Sequence, residues 1–143
     1  MTRRIHIAAA LLLNAEGKTL LVRKRGTGAF MQPGGKIEAG ERPEEALGRE
    51  LKEELDIDAD IAQALFLGRF SAPAANEPGF EVCCELYEIR MDAAVVPAAE
   101  IEEAVWVDVD SATARELAPL TRDHVLPLYR QRLGDRLRPE TLE

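Results

Sequence analysis

With 143 residues, the chain is long enough for one domain around one core. It is 46% hydrophobic and 31% charged, and no apolar run approaches the roughly 18 residues that a membrane span needs, so a membrane protein is excluded. A net charge of −8 with no basic face argues against a nucleic-acid polymer as partner, but leaves room for a small anionic substrate whose charge metal ions screen.

The first stretch, MTRRIHIAAALLLN, sets basic residues before an apolar run, as a leader peptide does. It alternates, however, and meets a turn at Asn14–Gly17 directly, so a strand over Ile5–Leu13 in the middle of a sheet is the better reading. A cytoplasmic protein is expected. Thr19–Arg23 reads as the return strand of a hairpin, and Arg23, Lys24 and Arg25 form a basic cluster just before Gly26–Gly28. Such a cluster serves solubility, or it faces the phosphates of a substrate. Phe30 and Gln32 suit a short strand that delivers Pro33-Gly34-Gly35, a loop whose glycines let backbone approach a ligand closely.

The segment GGKIEAGERPEEALGRELKEELDI then runs from Gly34 to Ile57. Pro43 fits a first helical turn, where its missing N–H is not needed, and Glu44 and Glu45 favour the positive end of the helix dipole. At roughly 100° per residue, Leu47, Leu51 and Leu55 make one apolar stripe. Glu50, Glu53 and Glu54 fall on an adjoining stripe, at i+3 and i+4 spacing. A glutamate-rich face is commonly just solvated. Three stacked carboxylates also make the oxygen cluster that a hard divalent cation wants, and Ala46, one turn earlier, leaves room for it. Gly48 in mid-helix costs roughly 1 kcal/mol relative to alanine and implies close packing on a neighbour.

Ala64–Phe70 reads as a strand, SAPAANEPG as a loop, Phe80–Arg90 as a long strand, and Val95–Glu100 as a loop. Glu103–Val107 is a strand carrying Trp106, and Asp110 or Ser111 caps a short helix toward Leu117. Thr121 caps a last helix, RDHVLPLYRQRL, which Pro127 kinks or delays, and a frayed tail is expected from Gly134. Cys83 and Cys84, the only cysteines, are neighbours on a strand and point to opposite faces, which suits neither a disulfide nor a zinc site. Mixed strands with one long helix inside and one at the end imply an α/β/α sandwich around a mixed β-sheet, as a single domain over 1–143.

Gly35, Glu41, Arg49-Glu50-Leu51-Lys52-Glu53-Glu54 and Ile57 together resemble the Nudix box, with Asp56 where that pattern has glycine. The resemblance to MutT-like Nudix hydrolases implies the same α/β/α sandwich. It also implies Mg²⁺-dependent cleavage of a pyrophosphate linkage in a nucleoside diphosphate derivative, with Mn²⁺ a usable substitute. Carried over from the motif, the Gly35 carbonyl, Glu50, Glu53 and Glu54 are the metal ligands. Glu53 is the leading candidate to take the proton from water, Glu54 stands with it in the catalytic set, and Arg49 positions a carboxylate. Glu100, before the tryptophan-bearing strand, is a second candidate base, with Glu102 and Glu103 close by. Arg23, Arg25 and Gly34 are expected at substrate phosphates, and Asp123 at a purine edge. A (deoxy)nucleoside triphosphate, a damaged purine one included, is the expected substrate, giving monophosphate and pyrophosphate. Pro73 resembles a marker of ADP-ribose pyrophosphatases, so ADP-ribose or another nucleotide sugar is the alternative. A nucleotide-binding sensor without activity would carry a broken acid set, whereas this set is complete. A homodimer is compatible with the sequence.

Overall fold

A computed structural model of the chain describes residues 3–137. The run from Ala8 to Leu13 is buried on both faces, as a central strand must be. It belongs to β1 (Arg3–Leu13), which pairs in parallel with β6 (Phe80–Arg90) from Arg3 opposite Phe80 to Leu13 opposite Arg90. A parallel pair needs a crossover, and the segment between these strands supplies it.

The turn after β1 is held by Asn14, whose Oδ1 accepts from the N–H groups of Glu16 and Lys18. The chain returns as β2 (Thr19–Lys24), but the hairpin meets β1 only at Leu13 and Thr19. The rest of β2 pairs antiparallel with β7 (Ile101–Val107). The opening has a cause, because that edge of β1 is taken at Ile7–Ala9 by β4 (Gly34–Lys36). β3 (Phe30–Met31) lies against β2, and Gln32, expected on it, falls just beyond its end. β5 (Leu65–Pro73) closes the other edge of the sheet against β6 and runs three residues into the expected loop. It does so because Ala72 is buried opposite Val82.

Helix α1 (Pro43–Leu55) forms as its pattern dictates, with Leu47, Leu51 and Leu55 wholly buried, each contributing about 1.5–3 kcal/mol by burial. Gly48 is explained by the short helical turn Ile61–Gln63, because a Cβ there would stand 3.0 Å from the Ile61 side chain. Helix α2 (Val109–Thr113) is capped one turn before the expected residues. Asp108 accepts from the Ser111 N–H at 2.8 Å, and Ser111 Oγ accepts from the Asp108 N–H, so neither Asp110 nor Ser111 is the cap.

The last helix also corrects the expectation. Thr121 is not its cap but the first residue of a widened π-helical turn, Thr121–Val125, that leads into α3 (Leu126–Leu137). Pro127 has no N–H to offer the preceding turn, and the widened stretch absorbs the mismatch. The helix passes through Gly134 to Leu137, where a frayed tail was expected, and residues 138–143 lie outside the described part.

The sheet separates two cores, and successive residues of β1 feed opposite ones. Leu11 joins Leu21, Leu86, Val125 and Tyr129 beneath α2 and α3. Leu12 joins Leu20, Val22, Leu47, Leu51 and Leu55 beneath α1. The architecture is the expected α/β/α sandwich around a mixed sheet. Among the described residues, no helix is long and apolar enough to cross a membrane. Cys83 and Cys84 are free, and burial pushes the Cys84 thiol up to about 12.

Candidate active site

The site begins where β4 meets α1. Gly34 has φ +150°, and a Cβ there would lie 2.2 Å from the Ala8 carbonyl oxygen, so only glycine lets the loop pair so tightly with β1. At Gly35 a Cβ would lie 2.4 Å from Glu50 Cδ. The acid helix is therefore packed directly onto the glycine loop.

Arg49 organises the acids. Its Nε donates to Glu41 Oε2 at 2.7 Å and its Nη2 to Glu41 Oε1 at 3.0 Å, a forked pair. Its Nη1 donates to Glu50 at 2.8 Å and to Glu53 at 3.4 Å, and Nη2 also reaches the Lys36 carbonyl at 3.1 Å. The Arg49 bond, with the Glu38 backbone, holds the Glu41 carboxyl down at about 2. Sequence reasoning placed Glu41 in the motif without a role; the structure shows it as the anchor of Arg49.

Glu54 is buried at 6% exposure, a rare place for a carboxylate. Burial first, and then the negative charge of Glu50, push its carboxyl up to about 8, with Glu100 adding to the rise and Lys24 opposing it. Glu50 and Glu54, four residues apart on α1, are like charges that disfavour each other's ionisation unless a cation lies between them. Among the described residues, no three Asp, Glu, His or Cys side chains close around a single point as they stand. The donor set of Glu50, Glu53, Glu54 and the Gly35 backbone nevertheless fits a hard divalent cation, since it is all oxygen and carries more negative charge than Arg49 offsets.

Glu100 is brought beside this cluster by backbone bonds rather than by its own helix or strand. The Ala98 N–H donates to the Glu54 carbonyl at 2.8 Å, and the Arg25 N–H to the Glu100 carbonyl at 2.8 Å. Ala99 between them holds φ 54°, a strained conformation for alanine. Lys24 Nζ lies 3.2 Å from Glu100 Oε1.

A cavity of about 320 Å³ opens from the glycine loop. Lys24, Arg25, Gly34, Gly35, Pro73 and Glu100 are on its wall, with Gln32 and Thr121 further in. Arg23 is elsewhere, tied to Glu103 at 3.2 Å and to the Thr27 carbonyl at 2.8 Å beneath Phe30. Asp123 is also apart from the cavity, exposed and forked with Arg122 at 2.8 and 2.9 Å. The structure thus gathers Gly34, Gly35, Arg49, Glu50, Glu53, Glu54, Glu100 and Arg25, and leaves Arg23 and Asp123 outside the gathering. Gln32 and Thr121, which meet at the cavity wall, carried no signal in the sequence that pointed to one another.

A solved MutT protein from Methanosarcina mazei superposes with a TM-score of 0.74 over 96% of this chain and 98% of its own, at 20% identity, which shows a shared fold. An octanoyltransferase of Myxococcus xanthus is 37% identical over 121 residues, 79% of this chain and 32% of that protein. An 8-oxo-dGTP diphosphatase of Haemophilus influenzae is 40% identical over 73 residues, 48% of this chain and 54% of that protein. The chain therefore spans between about a third and about half of these two relatives. The NUDIX domain model matches residues 2–129, nearly all of the described structure, and with that match the chain belongs to the Nudix family.

Proposed function

We propose that the chain hydrolyses a (deoxy)nucleoside triphosphate, a damaged purine one included, to the monophosphate and pyrophosphate. The observation that carries this reading is the pair of acids, Glu50 packed on Gly35 and the buried Glu54, set next to a cavity that Lys24, Arg25 and the Gly34–Gly35 backbone line. A pyrophosphate repels an incoming nucleophile by its own charge, and both halves of the remedy stand side by side. The likeness to an 8-oxo-dGTP diphosphatase supports the substrate class.

Magnesium, with manganese as substitute, would be held by Glu50, Glu53, Glu54 and the Gly35 carbonyl, and supplies charge neutralisation and a more acidic water. Arg49 keeps Glu50 and Glu53 at fixed distances from the glycine loop. Lys24 and Arg25 face the cavity with positive charge suited to phosphate oxygens. The proton released by the attacking water is assigned to a carboxylate oxygen of Glu100, which lines the cavity, whereas Glu53 is turned to Arg49. Glu100→Gln then lowers kcat and leaves metal affinity in place, while Glu53→Gln weakens metal binding.

The test is a panel of nucleoside triphosphates, ADP-ribose and nucleotide sugars with magnesium. Released phosphate is scored with and without added phosphatase and pyrophosphatase, so that pyrophosphate and monophosphate products are told apart. Hydrolysis of ADP-ribose with every triphosphate left intact would overturn the substrate class.

A further inference from the structure

Gln32 follows β3 and is 6% exposed. Its Oε1 accepts a hydrogen bond from Thr121 Oγ at 2.9 Å, and Thr121 is wholly buried at the start of the widened turn. Among the described residues, nothing accepts from Gln32 Nε2, which is itself buried. Leaving a buried donor unpaired is costly, and natural interiors seldom do it. Gln32 lines the cavity, where its neighbours Ala118, Leu120 and Val82 are apolar. One anchored amide on an apolar wall is how a pocket fixes the orientation of a flat ring.

We propose that Gln32 determines base specificity: its Nε2–H, anchored through Thr121, donates to an oxo group on the base ring, so that oxo bases are preferred to their amino counterparts. The inference rests on reading the cavity as the nucleoside pocket of a triphosphate hydrolase. With Thr121 Oγ donating to Oε1, the N–H groups of the amide remain for the ligand. An amide turned over would present Oε1 instead and favour amino bases. The base lies away from the reacting phosphorus, so the discrimination falls on KM more than on kcat.

Matched pairs read this directly, namely dITP against dATP and dUTP against dCTP, which exchange an oxo for an amino group at one ring position. The expected wild-type result is a kcat/KM about tenfold or more higher for the oxo member of each pair. Gln32→Met keeps length and removes the donor, and the ratio should fall to within about twofold of one while circular dichroism shows the fold kept. Gln32→Glu replaces the donor by an acceptor and should move the preference toward amino bases. Thr121→Val frees the amide without touching it and should weaken the preference, so any one of the three variants that folds is enough to decide the role of Gln32. Triphosphates hydrolysed with no oxo preference, or with an amino preference, would overturn the role of Gln32 and leave the proposed activity standing. If no triphosphate is hydrolysed, the proposed activity falls. Calorimetric binding of dIMP against dAMP, wild type and Gln32→Met, then decides Gln32 separately: tighter dIMP binding that the variant loses supports the role, and equal binding removes it.

Discussion

Arg49 and Glu41 are joined by two hydrogen bonds, of 2.7 and 3.0 Å, and this fork fixes the guanidinium that also reaches Glu50 and Glu53. Lysine has one point charge and cannot reproduce the fork. Arg49→Lys is therefore expected to lower activity about 10–100-fold, as loss of a supporting partner around a metal set does. Glu41→Gln should share part of that loss. Metal titration should show weakened affinity in both variants while the circular dichroism spectrum is kept. Wild-type metal affinity in Arg49→Lys would mean that the fork only braces the helix.

The second expectation concerns Glu54, buried and pushed up to about 8 by burial and by Glu50. Glu54→Gln keeps the shape and removes the charge. Turnover should fall about 10²–10⁴-fold. Because that rise keeps Glu54 protonated at neutral pH when no metal is bound, glutamine replaces a neutral group of the same shape, and the melting temperature without metal should change little. Full turnover in this variant, or in wild-type protein with excess EDTA, would sink the mechanism.

Why the acids were legible and Gln32 was not follows from distance along the chain. Glu50, Glu53 and Glu54 lie within one helix, so the helical repeat alone brings them together. The helix, its buried leucines and the long strands were readable for the same reason, since each pattern is local. Gln32 and Thr121 are 89 positions apart, and their meeting depends on how α3 docks. The pairing of β2 with β7 was hidden likewise, because a neighbouring strand took the place on β1 that a hairpin would fill. Asp123 shows the opposite failure. A residue of the right type in the right region turned to the adjacent Arg122, and nothing in the local pattern distinguished the two directions.

Asp56, the one departure from the box, sits at φ 56° and ψ 38°, the left-handed cap that favours glycine. It also accepts from Lys52 Nζ at 2.9 Å, an i,i+4 pair across the last turn of the helix. Both partners are more than half exposed, so that pair is worth only about 0.3–0.5 kcal/mol. Relief of the strain at the cap is worth about 1 kcal/mol. Asp56→Gly should therefore stabilise the protein slightly, by about 0.5 kcal/mol net, and Asp56→Ala should destabilise it. Thermal melts of the two variants decide. A clear loss in Asp56→Gly would show the Lys52 pair to be the stronger effect.

The two loop glycines should fail in different ways. At Gly34 a Cβ would meet the Ala8 carbonyl oxygen at 2.2 Å and Ala9 Cα at 2.6 Å, both backbone of the central strand. Gly34→Ala is expected to cost about 3 kcal/mol or more, through clash and a left-handed φ. At Gly35 the obstacle is the Glu50 carboxyl, at the movable end of a side chain. Gly35→Ala should fold with nearly wild-type stability but displace Glu50 and lose activity. Denaturant melts paired with turnover separate the cases, and a stable, active Gly34→Ala protein would refute the packing described.

Far from the site, Glu88 is 4% exposed between Arg132, at 2.7 Å, and Arg90, at 2.8 Å. Burial alone would raise its carboxyl, but the two guanidiniums outweigh it and hold it below the ordinary 4.5. The native state thus takes up this proton at lower pH than the unfolded chain does. The stabilisation is complete above about 4.5 and is lost as pH falls through the lowered native value. Glu88→Gln keeps the volume but gives up the charge, and should cost about 1–3 kcal/mol at pH 7. The gap between wild type and variant should then narrow as pH falls below about 4.5 and close once the native carboxyl is also protonated. Urea titrations at a series of pH values between neutrality and acid measure that gap. A constant difference across the range would mean that Glu88 contributes through packing and not as an anion.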